Sequence, residues 1–157
     1  MPDAAPLLLK LATLPRNQIG PDGSVYFSDF GSGKDDHLDH CGIYRFSPEG
    51  KVSTLAKDVT APNGIARTPS GGVVLSDSGG ANTIRAISTA GVVSTIAGVS
   101  GATGSNDGPA ASATFNAPAG VAVDAAGNVF VADQSNHTIR KITPGGVVST
   151  FAGTAGL

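Results

Sequence analysis

Residues 146–152 read Gly-Val-Val-Ser-Thr-Phe-Ala, and the same pattern stands earlier as Gly-Val-Val-Ser-Thr-Ile-Ala at 91–97 and Gly-Lys-Val-Ser-Thr-Leu-Ala at 50–56. A glycine followed six residues later by an aspartate also recurs, and so does an arginine beside an isoleucine or a tyrosine. The glycine and aspartate pairs are Gly23 and Asp29, Gly71 and Asp77, and Gly127 and Asp133; the arginines are Arg45, Arg85 and Arg140. Three elements that recur in one order indicate three structural repeats.

Each repeat is predicted to form four short strands. In the last repeat the strands fall at 120–124, 128–133, 138–143 and 147–153, and they are separated by turn-forming glycine, proline and asparagine. The second strand is apolar without alternation, as in Val73-Val74-Leu75, which favours burial on both faces. Four-stranded sheets that repeat in series and are buried on both faces are typical of propeller blades, so we predict an all-β propeller.

Composition excludes several classes of protein. The chain has 157 residues with 22 Gly, 10 Pro and one Glu, and this shortage of helix-forming residues argues against a helical bundle. Hydrophobic residues make up 40% and the net charge is only -2, which argues against disorder. The Lys and Arg residues are scattered, so we expect no nucleic-acid partner.

The N-terminal apolar run is short. It covers residues 6–9 and ends at Lys10, whereas a membrane span needs about 20 residues. It is also short for a signal-peptide core, so we expect no membrane partner and no export signal in this sequence. Cys41 is the single cysteine, which excludes an internal disulfide.

Two families share features with these repeats. The third repeat reads Pro-Ala-Gly-Val-Ala-Val-Asp at 118–124, Gly-Asn-Val-Phe-Val-Ala-Asp at 127–133 and Asn-His-Thr-Ile-Arg-Lys-Ile at 136–142, and it closely resembles an NHL repeat of bacterial proteins. The middle repeat, with Ala-Pro-Asn-Gly-Ile-Ala at 61–66, is similar both to NHL repeats and to the SMP-30/gluconolactonase family. The first repeat, with Gly-Ile-Tyr-Arg at 42–45, is closer to the second family. Both resemblances imply a propeller of the six-bladed type.

The repeats divide the chain into five segments. They are residues 1–14, interpreted as the last strand of a preceding blade; 15–60, blade 1; 61–100, blade 2; 101–116, a Gly/Ala/Ser-rich linker; and 117–157, blade 3. Closed propellers have at least about four blades, so we expect an open or incomplete propeller that is part of a longer one. The alternative is a half-ring that dimerises to six blades. An open stack exposes apolar sheet faces, through which we expect self-association.

Two insertions interrupt the repeat period, one between Asp29 and Arg45 and one at 101–115. Up-and-down strands place both insertions on the same face, where we expect a small molecule or a protein to bind. The recurring aspartates are expected to accept hydrogen bonds from backbone amides of the following turn. The recurring arginines are expected to make blade-to-blade or turn contacts.

Asn63 is a candidate metal ligand because of the resemblance. In SMP-30-like lactonases an Asn at this position of a Pro-Asn-Gly sequence binds a catalytic divalent cation, which would polarise a lactone carbonyl. The corresponding positions in the neighbouring repeats are Arg16 and Ala119, and the single Glu49 is expected at the opposite face. The alternative is that Asn63 only forms a turn before Gly64.

The insertion of the first repeat holds the densest polar cluster. Its candidate metal ligands are Asp36, His37, Asp39 and His40, and carboxylates with imidazoles suit a divalent cation such as calcium or zinc. The alternative is an ordinary polar surface loop. His137 is expected to be exposed, and Asn136-His137-Thr138 fits a glycosylation sequon. No catalytic residue is assigned.

Two functions remain open at this point. The first is an NHL-type binding scaffold without catalysis of its own. The second is a fragment of an SMP-30/gluconolactonase-like, metal-dependent lactone hydrolase. The compartment is also open, because NHL-containing bacterial proteins are often exported whereas we expect no export signal in this sequence.

Overall fold

The computed structural model describes residues 17–29 and 41–156. These residues form three antiparallel sheets that follow one another along the chain. The first sheet contains β1 (Asn17–Ile19), β2 (Val25–Asp29), β3 (Gly42–Phe46) and β4 (Val52–Ala56). The second contains β5 (Pro62–Arg67), β6 (Val73–Asp77), β7 (Thr83–Ile87) and β8 (Val93–Ala97). The third contains β10 (Pro118–Val123), β11 (Val129–Asp133), β12 (Thr138–Ile142) and β13 (Val147–Gly153), with β9 (Gly108–Pro109) added beside β13.

The strands of each sheet follow one another in up-and-down order, and the first strand of a sheet, which we call its inner strand, contacts the first strand of the neighbouring sheet. β5 contacts β1 and β2 of the preceding sheet and β10 of the following one. Two buried apolar clusters fill the junctions, one shared by the first and second sheets and one by the second and third. The all-β prediction is therefore confirmed, and the sheets are blades of an incomplete propeller, which we call blades 1, 2 and 3.

Turn chemistry sets the strand ends. In the turn between β10 and β11, the carboxylate of Asp124 accepts hydrogen bonds from the amides of Ala126 and Asn128 at 3.0 and 2.8 Å. Gly127 in the same turn has φ of 83°, a conformation that side chains disfavour. The turn therefore requires the Asp-x-x-Gly pattern that the sequence shows.

Burial of the second strands depends on their position in the stack. All five residues of β6 are buried, as the lack of alternation predicts. In β11, buried residues alternate with partly buried ones, although its sequence is equally apolar. The reason is that blade 2 lies between two sheets, whereas only one face of blade 3 packs against another described sheet.

Neighbouring inner strands approach closely at a bulge. The β5 register shifts between Pro62 and Ile65, and a Cβ atom built on Gly64 would lie 2.7 Å from the Val121 amide nitrogen of β10. The Ser76 hydroxyl donates to the Ala119 carbonyl across this junction, and the Ser28 hydroxyl donates to the Asn63 carbonyl across the preceding one at 3.3 Å. Equivalent serines therefore tie each blade to the next.

The segment at 101–116, interpreted as a linker, contributes to blade 3. Its β9 pairs with β13, and Ala110, Ala113 and Phe115 are buried in the cluster between blades 2 and 3. The N-terminal segment 1–14 lies outside the described residues. Within the described ranges, no helix has the length and apolar character to cross a bilayer.

Candidate functional site

One end of the blades gathers the starts of the inner strands and the ends of the second strands, because Pro62 pairs with Asp77 and Pro118 pairs with Asp133. The connections from second to third strands and from one blade to the next meet here. We call this the connection end. It is the end at which the sequence predicts binding.

Asp77 uses its carboxylate within the fold. Its Oδ1 accepts hydrogen bonds from the amides of Thr60 and Ala61 at 3.0 and 2.9 Å, and its side chain is buried. Asp133 is placed in the same way and accepts from the Asn116 amide at 2.7 Å. The expected role as acceptors of backbone amides is right, but the predicted turn is wrong, since the amides precede the first strand of the same blade.

Arg140 is buried beside Asp133 and organises the linker. It donates to Asp133 at 2.9 Å, to Asp107 at 2.7 Å, and to the carbonyls of Thr114 and Asn106. Burial raises the pKa of Asp107, but hydrogen bonds from Thr150 and Arg140 outweigh it, and the net shift is downward. This network fixes the linker and leaves neither carboxylate free.

The arginine repeat is out of register in blade 1. Arg85 faces Leu75 and Arg140 faces Val131, whereas the equivalent partner in blade 1, Phe27, faces Tyr44. Arg45 therefore points to the opposite face, where it pairs with Asp22 at 2.8 Å. Each arginine still contacts a turn or connection, but Arg45 is not the equivalent of the other two.

Asn63 lies at the start of β5 at the connection end and is half-buried. Its carbonyl accepts from Ser28, while its side-chain amide makes no hydrogen bond with another described residue. Ala119 holds the equivalent place in blade 3, since the serine bridge ends on its carbonyl. Asn63 is thus the one residue of its repeat position, among those described, that offers a side-chain oxygen to this end.

The described residues do not complete a metal site. A calcium ion takes six to eight oxygen ligands, and no group of three or more His, Cys, Asp or Glu among these residues could hold an ion. Asp77 and Asp133 are engaged with amides, and Glu49 stands in the turn between β3 and β4, at the end opposite Asn63. A cation at Asn63 would need ligands from elsewhere.

The other candidate ligands lie outside the described residues. These are Asp36, His37, Asp39 and His40, for which the cluster remains a sequence-based prediction. Cys41, next in the chain, is half-buried directly before β3.

The sequon residue is not accessible. The Asn136 side chain is buried and donates to the Gly104 carbonyl and to Asp133, both at 2.8 Å. A glycan on this amide nitrogen would replace one of the two N–H donors and would need space that the buried side chain does not have. His137 is exposed, as predicted, with φ of 56° in the left-handed region.

Two sets of recurring residues were missed at the sequence level. Ser28 and Ser76 each precede a recurring aspartate, and that fixed offset is the signal that could have identified them. Val59 and Phe115 each stand three residues before the proline of an inner strand, and both are buried against the preceding blade. An apolar residue at this offset is the corresponding sequence signal.

Comparisons with known proteins agree with the fold. The family model described as SMP-30/Gluconolactonase/LRE-like region matches residues 17–152. No curated protein matches the chain.

Three solved structures share the architecture. A structural genomics protein of unknown function from Bacteroides thetaiotaomicron has a TM-score of 0.72 at 20% identity, over 90% of this chain and 36% of its own. An auxiliary nutrient binding protein from the same organism has 0.66 at 22%, over 85% and 34%. A gluconolactonase from Xanthomonas campestris has 0.65 at 24%, over 88% and 46%. The chain therefore spans between about a third and a half of the length of these proteins.

Proposed function

Because the chain belongs to the SMP-30/gluconolactonase/LRE-like family, we propose that it forms three blades of a longer β-propeller that binds a small molecule at its connection end. The proposal rests on which polar side chains at that end already have hydrogen-bond partners. Asp77 and Asp133 are occupied by backbone amides, whereas the Asn63 amide has no partner among the described residues.

Binding without catalysis is the first function that this arrangement favours. An unpaired side-chain amide can donate to and accept from a neutral polar ligand without a metal ion. The variable connections surround the same end, and binding residues of repeat proteins concentrate on such connections. The similarity to a nutrient binding protein supports the same reading at the level of fold.

The test uses gluconate and glucono-1,5-lactone as probes, with and without calcium. We expect saturable NMR shift changes at Asn63 and Ala119, weaker binding by Asn63→Ala, and no acceleration of lactone hydrolysis. Gln134→Ala is the matched control, because Gln134 is exposed at the same end in blade 3. Shift changes that are confined to the opposite end, or that persist in Asn63→Ala, contradict the proposal.

A metal-dependent lactone hydrolase is the second candidate. The observation in its favour is the position of Asn63 at the start of an inner strand, together with the similarity to a gluconolactonase. Further oxygen ligands would have to come from the undescribed residues, such as Asp36 and Asp39, or from other blades. A divalent cation held there would act as a Lewis acid on the lactone carbonyl.

Hydrolysis separates the two candidates. The second predicts that calcium or zinc accelerates opening of glucono-1,5-lactone by the chain, and that Asn63→Ala abolishes the acceleration. If the wild-type chain and Asn63→Ala each open the lactone at the same rate with and without metal, the hydrolase function is contradicted. His37→Ala tests the loop cluster separately, by calcium and zinc titration, and unchanged affinity would remove that cluster.

A further inference from the structure

Blade 3 has a fifth strand that the other two blades lack among the described residues. β9 pairs with the outer edge of β13, where Gly108 lies opposite Val148 and Pro109 lies opposite Val147. The outer edges of β4 and β8 have no described strand beside them. An unpaired edge exposes backbone donors and acceptors to which an extended segment can add.

Asp107 holds the added segment on blade 3 through two residues of the sheet. Its carboxylate accepts hydrogen bonds from the Thr150 amide at 3.0 Å and from the Thr150 hydroxyl at 3.2 Å. The same carboxylate accepts from the Arg140 guanidinium at 2.7 Å. Further along the segment, the Ala110 amide donates to the Gly146 carbonyl at 2.8 Å. One arginine, one outward amide and one turn carbonyl therefore bind the segment.

Blade 2 repeats the residues that receive Asp107 in blade 3. Arg85 lies opposite Thr95 as Arg140 lies opposite Thr150, and the register shifts at the same place in both strand pairs. Because the Thr150 amide points outward to Asp107, the equivalent Thr95 amide points outward as well. Thr95 is exposed, and no described side chain accepts a hydrogen bond from its amide.

Arg85 also has unused hydrogen-bonding capacity. Arg140 donates to two carboxylates and two carbonyls, whereas the one described acceptor of Arg85 is Asp58, at 3.2 Å. The Asp58 side chain is 64% exposed, and an ion pair with so exposed a partner contributes little to stability. A second carboxylate can therefore bind Arg85 beside Asp58, or displace it at small cost.

The connection between blades 2 and 3 fills the junction beside β9. Ala110 and Ala113 of this connection are buried in one cluster with Val129 and Ile142 of blade 3. Val148, which pairs with β9, is buried in the same cluster. The segment thus supplies small apolar side chains to the junction as well as hydrogen bonds to the edge.

The junction between blades 1 and 2 has a cleft in the corresponding place. Its connection, residues 57–61, forms no strand beside β8. The cleft has a volume of about 230 Å³, and its lining includes Val73 and Ile87. These two residues pair with each other as Val129 and Ile142 do in blade 3. The cleft therefore corresponds to the space that small side chains fill at the next junction.

Arg45 is a second cation at this cleft, and it is already paired. Its guanidinium donates to the Asp22 carboxylate at 2.8 Å and to the Ser24 hydroxyl at 3.0 Å. Arg85 is thus the cation that a further carboxylate would meet at this edge.

We propose that the outer edge of blade 2 and the adjoining cleft bind an extended acidic peptide segment of a partner protein. The segment adds to β8 as β9 adds to β13, with its carboxylate on Arg85 and on the Thr95 amide. Small residues that follow the acidic one enter the cleft between blades 1 and 2. This site goes beyond the proposed binding function, because it lies at the outer edge of the sheets and involves neither Asn63 nor any further blade.

Blade 1 provides an internal comparison. Thr54 is the equivalent of Thr95, but it lies opposite Tyr44 where blade 2 has Arg85. The edge of β4 therefore lacks the cation that would select a carboxylate, and we expect the acidic segment to bind β8 and not β4.

The experiment titrates the full chain with two synthetic peptides. The first has the sequence of residues 106–113, which includes Asp107, and the second replaces that aspartate with alanine. We expect saturable NMR shift changes at Arg85 and Thr95 with the first peptide, and no comparable changes at Thr54. The second peptide should bind about tenfold more weakly, because hydrogen bonds to charged groups are the stronger ones.

Three substitutions test the contacts. Arg85→Leu should weaken binding of the first peptide about tenfold. Lys141→Leu, which removes a cation from the third strand of blade 3, is the control and should leave the affinity unchanged. Asp58→Asn removes the competing carboxylate and should tighten binding, which is a gain that a folding defect cannot produce.

Several results would overturn the proposal. They are the absence of saturable shifts at millimolar peptide, equal affinity of the two peptides, weaker binding by Asp58→Asn, and shifts confined to β4 or to Thr150, where the peptide would only exchange with the chain's own segment. Light scattering tests the other occupant, since a dimer that Arg85→Leu dissociates would assign the cleft to a second copy. None of these readouts uses a sugar ligand, so their failure is distinguishable from failure of the proposed binding function.

Discussion

Arg140 and Asp133 form an ion pair in which both side chains are fully buried. Removing one partner of such a pair leaves the other charge buried and uncompensated, which costs about 3–5 kcal/mol. We therefore expect Arg140→Leu to lower the free energy of unfolding by about that amount in urea denaturation. Arg85→Leu is the control, because its partner Asp58 is largely exposed, and such pairs contribute about 1 kcal/mol or less. Equal losses in the two variants would contradict this assignment.

The arginines also show where sequence inference reaches its limit at this scale. An alignment of the three arginines by residue type and by a neighbouring Ile or Tyr places Arg45 in the wrong register. Arg85 and Arg140 stand eight residues before the valine of the Val-Ser-Thr motif, whereas Arg45 stands seven residues before it. A fixed interval of eight residues identifies Tyr44 as the equivalent residue in blade 1. A one-residue shift reverses the face of a strand, so residue type alone could not settle the position.

Asp22 makes the stability of the first sheet depend on pH. The Ser24 hydroxyl, the Ser24 amide and Arg45 all donate to its carboxylate, at 2.9, 3.1 and 2.8 Å, and they lower its pKa to about 2. An unfolded Asp has a pKa of about 3.9. Since the folded state binds the proton more weakly, the stability from this group is present above about pH 4 and is lost as the pH falls towards 2.

Acid should therefore destabilise the fold through protonation of Asp22. We expect unfolding midpoints in urea to fall between pH 4 and pH 2, and to fall less steeply in Asp22→Asn. Ser24→Ala removes the hydroxyl that contributes most to the shift, so the carboxyl of Asp22 should titrate closer to 4 in that variant, as followed by NMR. A wild-type carboxyl that titrates near 4 would refute the argument.

The sequence predicts where the strands form, but it does not predict which faces of a strand are covered by neighbouring sheets. The strands of each repeat were predicted from apolar runs and turn residues, and β6 is buried on both faces as expected. β11 has the same kind of sequence but packs on one described side only. The sequence does not predict β9, because Gly108-Pro109 is typical of a turn. Its pairing with β13 is accompanied by contacts of Asp107 with Arg140 and Thr150, which are distant in sequence.

The close approach of neighbouring inner strands restricts the residue at position 64 to glycine. Gly64→Ala would place a methyl group against the backbone of Ala119 and Val121, whereas Gly120→Ala would meet only the Ala132 side chain at ordinary contact distance. Because a backbone cannot move aside cheaply, we expect Gly64→Ala to cost about 1–3 kcal/mol of unfolding free energy. Gly120→Ala should change it by less than about 0.5 kcal/mol. If both variants are equally stable, the close approach of β5 and β10 is not a constraint.

At the scale of the whole molecule, the stack is held by contacts between successive blades, and stability of this kind adds up from units and their interfaces. The sequence predicted three blades and their order correctly. It did not predict that Val59 and Phe115 pack on the preceding blade, because the two residues differ in size and fall outside the recurring motifs. The sequence does not define a metal site for a related reason. Ligands that converge from several blades are far apart in the chain and have no fixed spacing.

Phe115 should therefore control the coupling between blades 2 and 3. Its ring is fully buried between Gly98 and the Arg140 guanidinium, which lies 5.2 Å from the ring centre. Truncation of a buried phenylalanine to alanine costs about 3–5 kcal/mol, so Phe115→Ala should lose that much stability. It should also speed amide hydrogen exchange in β7, β8 and β10 while leaving β2 and β3 near wild type, since each blade contacts only its neighbours. Phe151→Ala, the same substitution at a ring of β13 that is 63% exposed, should change the free energy of unfolding by no more than about 0.5 kcal/mol. Uniform acceleration of exchange across all three blades would show that the stack unfolds as one unit and that Phe115 has no local role.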